Sequence, residues 1–290
     1  MTKSLISRLE SIQQLSDPVE IKSKIAEILS DLKSHSSSAS SRIVSDSSPR
    51  SAVSDRLVAA VIQSDMVGVT QALSEVGHEF DVLSVMVDSN MGVTLLHKAC
   101  EIGKEGVLTA LLAHVDSHNK GAMFMHNLAG EMLKQKIEDM FNHTWSMDGL
   151  TPLHFAVMSS SPGLDKTVTE LLRRGANPDI PAKSTGKTAF LTACELGEAQ
   201  AAMLMIQATK GACLSSKDLE GNTCLHLAAE NGNEEIVEIL MNSMPTLERE
   251  VNDKNESAID VAIENGYEAI AETIAKLVKK GNDDGTFIFS

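Results

Sequence analysis

The sequence predicts an all-α solenoid made of about six stacked helix pairs. Two observations lead to this prediction. A short pattern of glycine, threonine and alanine recurs along most of the chain, and the apolar bulk comes from aliphatic rather than aromatic side chains. Apolar residues make up 42% of the 290 residues, and aromatic residues only 3%. This composition suits helices that pack closely through small side chains, and it suits a β-sandwich poorly.

Five copies of the pattern align on a hydroxyl residue, which we call the anchor residue of each repeat. The anchor residues are Thr94, Thr151, Thr188, Thr223 and Ser257. Alanine follows at offset +5 in every copy, and glycine at offset +9 in four copies, with Ser160 in the other. A large apolar residue follows at offset +17, which the copy at Thr151 reaches at Leu171 after three extra residues.

Each offset has a physical meaning. The anchor hydroxyl suits an N-cap, because it can accept a hydrogen bond from a free backbone N–H of the first helical turn. Alanine at +5 lets a neighbouring helix come close, and glycine at +9 suits a C′ position with positive φ. The residue at +17 falls on a second helix that packs back on the first. Each repeat is therefore predicted as a turn, a short helix, a tight turn and a longer helix.

This pattern resembles the ankyrin repeat family, whose signature is a Gly-x-Thr-Pro-Leu-His-x-Ala run in a unit of about 33 residues. The fullest match is Asp148-Gly-Leu-Thr-Pro-Leu-His-Phe-Ala156, and a second good match ends at Gly232. The resemblance implies an ankyrin repeat domain over residues 55–280, with a polar-faced last repeat. Its first repeat is degenerate and aligns if Asp55 takes the anchor position.

Three histidines share offset +3, namely His97, His154 and His226. The resemblance implies that they are structural, bonding backbone at the helix start and across to the next repeat. At least one repeat length separates each from the next, so they are poor candidates for a shared metal or a catalytic triad.

An insertion interrupts the pattern. Thr94 and Thr151 are 57 residues apart, whereas the later steps are 37, 35 and 34 residues. About 24 extra residues therefore lie near 115–147, and the stretch 122–141 has apolar residues at helical spacing. Two interpretations remain open. The insertion lengthens the second helix or adds a helix packed on the stack, or it forms a methionine-rich docking surface for a partner.

The ends of the chain differ from the repeats. Residues 1–33 predict an N-terminal helical segment of two amphipathic helices, which suits pairing with each other, dimerisation or partner binding. Residues 34–54 are Ser-rich and predict a flexible linker. Residues 281–290 form a C-terminal tail, which suits a frayed end, a partner peptide or a secretion signal.

Composition excludes several function classes. A formal charge of −15 disfavours nucleic acid and anionic membranes as partners and favours a basic protein. The four cysteines form no C-x-x-C pair, and no apolar run is long enough to span a bilayer, so we expect reduced thiols in the cytoplasm. No phosphate-binding loop, nucleophile elbow or dinucleotide fingerprint occurs. We therefore predict no catalytic residue, no cofactor and no enzyme activity.

A metal site is also weakly supported. His114, Asp116 and His118 are close in sequence, but no further ligand completes a zinc signature. We therefore predict no metal ligand. An enzyme or zinc site hidden in the insertion is kept as a further alternative.

The resemblance implies that a protein partner binds a concave face formed by the turns and first helices. Transferring the family's variable positions to this chain gives the candidate partner-binding residues Asn90, Met91, Val93, Glu101, Ile102, Met147, Asp148, Leu150, Met158, Glu195, Leu219, Glu220, Asn222 and Glu230, and the same positions on the helices include Leu196. Several of these residues are apolar where exposure is expected. The sequence therefore predicts an apolar strip rimmed by carboxylates.

Two binding functions follow from this surface. One is a scaffold or adaptor that binds a protein through the concave face and the insertion. The other is a regulator or inhibitor that masks a basic segment of an enzyme or transcription factor, as the acidic charge suggests. The extra N-terminal helices and short tail also resemble ankyrin effectors that bacteria secrete into the cytoplasm of a host cell.

Overall fold

The computed structural model describes residues 49–76, 82, 85–88, 92–123, 139, 141–142, 144 and 148–283. The chain divides into two compact units, residues 1–52 and 53–290. The predicted N-terminal segment at 1–33, residues 34–48 of the predicted linker and residues 284–290 of the tail lie outside the described residues. What we predict for them stays a prediction.

Six helix pairs make up most of the described part of the chain, which confirms the predicted all-α repeat fold. They are α1 (Pro49–Gln63) with α2 (Met66–Glu75), α3 (Leu95–Ile102) with α4 (Glu105–Met123), α5 (Pro152–Ser159) with α6 (Leu164–Arg173), α7 (Ala189–Leu196) with α8 (Ala199–Thr209), α9 (Cys224–Glu230) with α10 (Glu234–Ser243), and α11 (Ala258–Glu264) with α12 (Glu268–Asp283). Short 3₁₀ helices at Ala212–Ser215 and Pro245–Arg249 follow α8 and α10. Strand β1 (Met86–Asp88) pairs antiparallel with β2 (Val93–Thr94) just before α3.

The anchor residues and the residues at offset +9 bound the first helix of each repeat, as predicted. Thr94, Thr151, Thr188 and Ser257 are N-caps whose hydroxyls accept a hydrogen bond from the N–H three residues later. At offset +9 every copy has positive φ, including Ser160 at 44°. A second set of positive φ values recurs at offset −2, in Gly92, Gly149, Gly186, Gly221 and Asn255. Two fixed turns therefore set the length of each first helix.

The core runs through the repeats as one connected cluster. The alanines at offset +5 are completely buried, namely Ala99, Ala156, Ala193, Ala228 and Ala262. The second-helix residues predicted at offset +17 are completely buried as well, namely Leu111, Leu171, Met205, Leu240 and Ile274. The repeated offsets thus correspond to packing positions, because small side chains at +5 leave room for the adjacent repeat.

Backbone hydrogen bonds join the turns of successive repeats. The N–H groups of Lys183, Leu219 and Asp253 donate to the carbonyls of Asp148, Thr185 and Glu220, at 2.7, 3.0 and 3.0 Å. The accepting carbonyl lies at offset −3 in all three cases. Each turn is therefore fixed to the turn before it, and equivalent residues of neighbouring repeats lie side by side.

The first helix pair departs from the prediction. Helix α1 has 15 residues rather than seven or eight, and Asp55, predicted as an anchor residue, lies inside it. Residues 49–54, predicted as linker, are helical. Pro49 starts this helix without penalty, because the N–H that proline lacks has no partner in a first helical turn. Ala60 still lies in the core, as its predicted packing role requires.

The insertion begins as a continuation of α4. This helix has 19 residues, compared with 10 or 11 in α6, α8 and α10. In the extension, Asp116 accepts two hydrogen bonds from Arg174 at the end of α6, at 2.8 and 2.6 Å. Arg174 is largely buried and also binds Glu170 at 2.8 Å. The longer second helix, one of the two interpretations of the insertion, is therefore present.

Two described residues of the insertion, Phe141 and Asn142, contact the stack. Phe141 is buried, and the Asn142 side chain donates to the carbonyl of Gly175 and accepts from the N–H of Asn177. These contacts hold the turn that ends the third repeat. Residues 124–138 and 145–147 lie outside the described residues, so a docking role for the insertion stays a prediction.

We expect replacement of Gly186 to weaken the contact between two turns. Gly186 has a φ of 71°, and an added Cβ would lie 2.8 Å from the backbone nitrogen of Leu219. Gly266 has a similar φ of 80°, but nothing lies within 4 Å of an added Cβ there. Gly266→Ala should therefore lower the free energy of unfolding by about 1 kcal/mol. Gly186→Ala should lower it by about 1–3 kcal/mol more, because backbone atoms must move.

Urea denaturation followed by circular dichroism measures both variants. Gly266→Ala is the matched control for the conformational penalty of a positive φ. Equal losses of stability in the two variants would show that the turns are not in close contact.

Candidate partner-binding surface

The structure places the candidate residues in three groups. Asn90, Met91 and Met147 lie outside the described residues. The exposed candidates are Glu101, Asp148, Met158, Leu219, Glu220 and Glu230. The half-buried candidates are Val93, Ile102, Leu150, Glu195 and Asn222.

Two of the half-buried candidates have packing or turn contacts of their own. Ile102, the last residue of α3, packs against the core. The Asn222 side chain donates to Asp218 at 3.2 Å and accepts from Asn252 at 3.1 Å, which links two turns. These contacts were not evident in the sequence, because exposure near a helix end depends on the neighbouring repeat. A role for either residue in binding stays a prediction.

Large apolar side chains are exposed at the carboxyl ends of the first helices and on one turn. Met158 is 54% exposed, Leu196 47% and Leu219 65%. Ile263 in α11 is 55% exposed, and sequence reasoning missed it because the last repeat was interpreted only as a cap. Exposed apolar side chains that form a contiguous patch are typical of an interaction surface, whereas single ones are common on any protein surface.

Offset +7 forms a row across the stack, which we call the offset +7 row. Its members are Glu101, Met158, Glu195, Glu230 and Glu264. Glu101 binds Lys98 at 3.0 Å, and Glu195 binds Lys187 at 2.7 Å. Within the described part of the chain, no ion pair involves Glu230 or Glu264, and both side chains are exposed.

The glutamates of this row stand where a helix disfavours negative charge. Glu230 and Glu264 are the last residues of α9 and α11, and Glu195 is next to last in α7. The carboxyl end of a helix carries partial negative charge, so a carboxylate there is destabilising by about 0.3–1 kcal/mol. Helix stability therefore does not explain the choice of glutamate.

The histidines at offset +3 bridge successive repeats, as the resemblance implies. Nδ1 of His97, His154 and His226 accepts from the N–H of the anchor residue at 3.3, 3.1 and 3.3 Å. Nε2 lies 3.3, 3.2 and 3.0 Å from the carbonyls of Leu150, Lys187 and Glu256, each directly before the next anchor residue. This pattern requires a neutral ring with its proton on Nε2. Burial lowers the pKa of His154 and His226 and keeps these rings neutral.

The cysteines are packing residues. Cys100, Cys194, Cys213 and Cys224 are all buried. Burial raises the pKa of the Cys100 and Cys194 thiols, and it raises the pKa of Cys213 to about 11. Thiols with a raised pKa are poor nucleophiles at neutral pH.

The predicted histidine cluster does not assemble a metal site among the described residues. Asp116 is bound to Arg174, and no group of three or more potential metal ligands occurs in the part of the chain that the structure describes. The side chain of His118, together with His126 and His143, lies outside this part. No helix in the described ranges has the length and apolarity that a membrane crossing needs.

Helix pairs that recur along the chain, bounded by the same capped turn and in three cases joined by a histidine bridge, define a helical repeat protein. Within this class, residues 153–284 belong to the ankyrin repeat family. The family described as Ankyrin repeats (3 copies) matches residues 153–248 and 208–284. The repeat anchored at Thr94 lies outside this match but has the same offsets, capping box and histidine bridge.

Relatives and solved structures agree with this assignment. Residues of this chain are 34% identical over 113 residues to the human transient receptor potential cation channel subfamily A member 1, covering 38% of this chain and 9% of the channel subunit. They are 34% identical over 106 residues to mouse NF-kappa-B inhibitor alpha, covering 35% of this chain and 31% of the inhibitor. The chain thus spans less than a third of either relative.

A structural comparison shows the same fold. One chain in the solved complex of a predatory endopeptidase from Bdellovibrio bacteriovorus with its immunity protein superimposes with a TM-score of 0.56 at 22% identity. The match covers 76% of this chain and 97% of that one.

We expect the neutral histidines to make the stack sensitive to mild acid. Their ordinary pKa is 6.5, and the pKa of His154 and His226 is lower in the folded chain. The unfolded chain therefore takes up protons first as the pH falls below about 6.5. The resulting stability is complete above that pH and is lost toward the folded pKa, at up to about 1.4 kcal/mol per pH unit for each histidine.

Urea denaturation between pH 7.5 and pH 5.5 tests this expectation. The double variant His154→Gln and His226→Gln should be less stable at pH 7.5 and should lose less stability on acidification. A variant with the same pH slope as the unmodified chain would contradict the proposed linkage.

Proposed function

We propose that this protein is a non-enzymatic scaffold or adaptor that binds a protein partner through the surface around Met158, Leu196 and Leu219. The observation that carries the proposal is the exposure of these three apolar side chains in a chain whose capping and packing offsets are otherwise fixed. Complete burial of a fully exposed large aliphatic side chain is worth about 1.5–3 kcal/mol, and these three side chains, which are 54%, 47% and 65% exposed, can each contribute roughly half of that to a binding centre.

The surroundings support binding of a protein rather than of nucleic acid or lipid. Asp148, Glu220 and Glu230 are exposed at the turns and helix ends beside the apolar residues. A rim of carboxylates repels phosphate groups and attracts basic side chains. The proposal extends to the insertion, whose two ends are held against the stack at Asp116 and Asn142.

A second candidate is a regulator that masks a basic segment of another protein. The observation that favours it is the offset +7 row, in which Glu230 and Glu264 have no ion pair within the described residues. The net charge of −15 also favours a basic partner. One relative is named as an inhibitor of NF-kappa-B, which is compatible with this kind of role. A cytoplasmic location, in the source cell or in a host cell, is part of the proposal.

We expect the double variant Met158→Asp and Leu219→Asp to lose the partner without losing the fold. Both side chains are mostly exposed, so the free energy of unfolding should change by no more than about 0.5 kcal/mol. Affinity capture from a lysate, quantified by mass spectrometry, should show proteins that the unmodified chain retains and the variant does not.

The matched control is Val67→Asp, because Val67 is 74% exposed but lies in α2 of the first helix pair. This control should retain every protein that the unmodified chain captures. If the double variant also retains them all, binding does not use this surface.

Salt dependence separates the two candidates. For a regulator that masks a basic segment, the association rate with the captured partner should fall at least about tenfold between about 0.05 and about 0.3 M salt, because screening removes the steering. Stopped-flow fluorescence measures this rate. A rate that is nearly constant with salt would instead favour the scaffold, whose contacts are mainly apolar.

A further inference from the structure

The carboxyl ends of the first helices expose apolar side chains together with Glu230 and Glu264, which make no ion pair among the described residues. Met158, Leu196 and Ile263 are exposed on this face at offsets +7, +8 and +6. The glutamates of the offset +7 row lie between them. From this face we infer the conformation and spacing of the segment that binds, an inference that rests on the proposed function.

The row has a regular step because the repeats are stacked in constant register. The histidine bridge ends at offset −1 of the next repeat in each case. The positions at offset +9 also meet offset +10 of the next repeat, since a Cβ on Gly103, Gly197 or Gly232 would contact Ser161, Asn233 or Tyr267. Offset +7 lies two residues before the offset +9 residue that makes this second contact. Successive members of the row therefore follow the distance between neighbouring helices, which is about 8–10 Å.

One backbone conformation matches that distance. In a polyproline II segment, every third residue lies on the same side and the step between them is about 9.3 Å. In a β-strand, residues i and i+2 lie on the same side about 6.7 Å apart, and residue i+3 points to the opposite side. In an α-helix, the seventh residue is about 10.5 Å away and drifts by about 20° at each step.

The charges of the row identify the side chains that would meet it. From Met158 onward the row continues as Glu195, Glu230 and Glu264. Because a carboxylate at a helix carboxyl end is unfavourable for the helix, a basic residue from outside offsets that penalty. An aliphatic residue fits opposite Met158, which is exposed.

We propose that this face binds a basic polyproline II segment of a partner protein, with an aliphatic residue followed by Lys or Arg at every third position. The three basic residues meet Glu195, Glu230 and Glu264 in order. Lys187, which binds Glu195 at 2.7 Å, gives up or shares that contact when the segment is bound.

Fluorescence anisotropy with the full chain and three labelled peptides tests the proposal. The first peptide is proline-rich with one leucine and then a lysine at every third residue. The second has the same composition with its lysines adjacent. The third is alanine-based and helical with lysine at every seventh residue. The first should bind at least about fivefold more tightly than either other peptide, because only it pairs with all three glutamates.

Variants locate the binding on the row. Glu230→Lys and Glu264→Lys should each weaken binding of the first peptide at least about fivefold. Both variants should fold, because a cation is favourable at the carboxyl end of a helix. Glu238→Lys is the matched control, since Glu238 is exposed on the second helix α10 and the charge change is the same. In this control, the affinity for the first peptide should stay within about twofold of that of the unmodified chain.

Four results would overturn the inference. They are equal binding of the first two peptides, tighter binding of the helical peptide, an equal effect of Glu238→Lys and Glu230→Lys, and absence of binding by all three peptides. In each case the proposed function is judged separately, by whether Met158→Asp and Leu219→Asp abolish capture of a protein partner.

Discussion

The contact on which the stack depends is the bridge that a neutral histidine makes between two repeats. In three repeats Nδ1 of this residue closes its own helix start, and Nε2 donates to the carbonyl directly before the next anchor residue. One side chain therefore fixes both a helix terminus and the position of the following turn. In these three repeats the bond ends at the same offset, so the following turn has the same position relative to the preceding helix. The spacing of every surface row follows from this constraint.

The repeat anchored at Thr188 shows how the stack remains connected without this bridge. Leu191 occupies the histidine position there and has no polar atom to reach forward. At the same interface, the side chain of Asn233 donates to the carbonyls of Cys194 and Glu195 at 2.9 and 2.8 Å. Carbonyls at the end of a helix lack partners within the helix, so one amide group satisfies two of them. Polar contact across the interface is thus preserved at a different place.

The sequence was sufficient for those parts of the fold that depend on local backbone chemistry. Capping by hydroxyl residues, positive φ at offset +9 and burial of small residues at offset +5 have signatures within a few residues. The predicted start of the first repeat was wrong, because the first helix pair lacks an anchor hydroxyl and Asp55 was assigned to the anchor position. Contacts such as Asn142 with Gly175 and Asn177 connect residues more than 30 positions apart and have no local signature. On the surface, Met158 and Leu219 are exposed as predicted, whereas Ile102 packs against the core, because burial at a helix end is decided by the neighbouring repeat.

In our proposal, folding and recognition use different positions of the same repeat. The anchor residue and offsets +3, +5, +9 and +17 each serve a capping, bridging or packing role. Their side chains therefore cannot vary to determine which partner binds. Offset +7 has no such role, and four of its five members are glutamates at helix ends that disfavour them. Glu101 and Glu195 are paired with Lys98 and Lys187, whereas Glu230 and Glu264 make no ion pair within the described residues, so a basic partner is what we propose for them. Because the fold fixes the interval between these residues, the recognition that we propose depends on both their charge and their spacing, and an adjacent run of basic residues would not meet all of them at once.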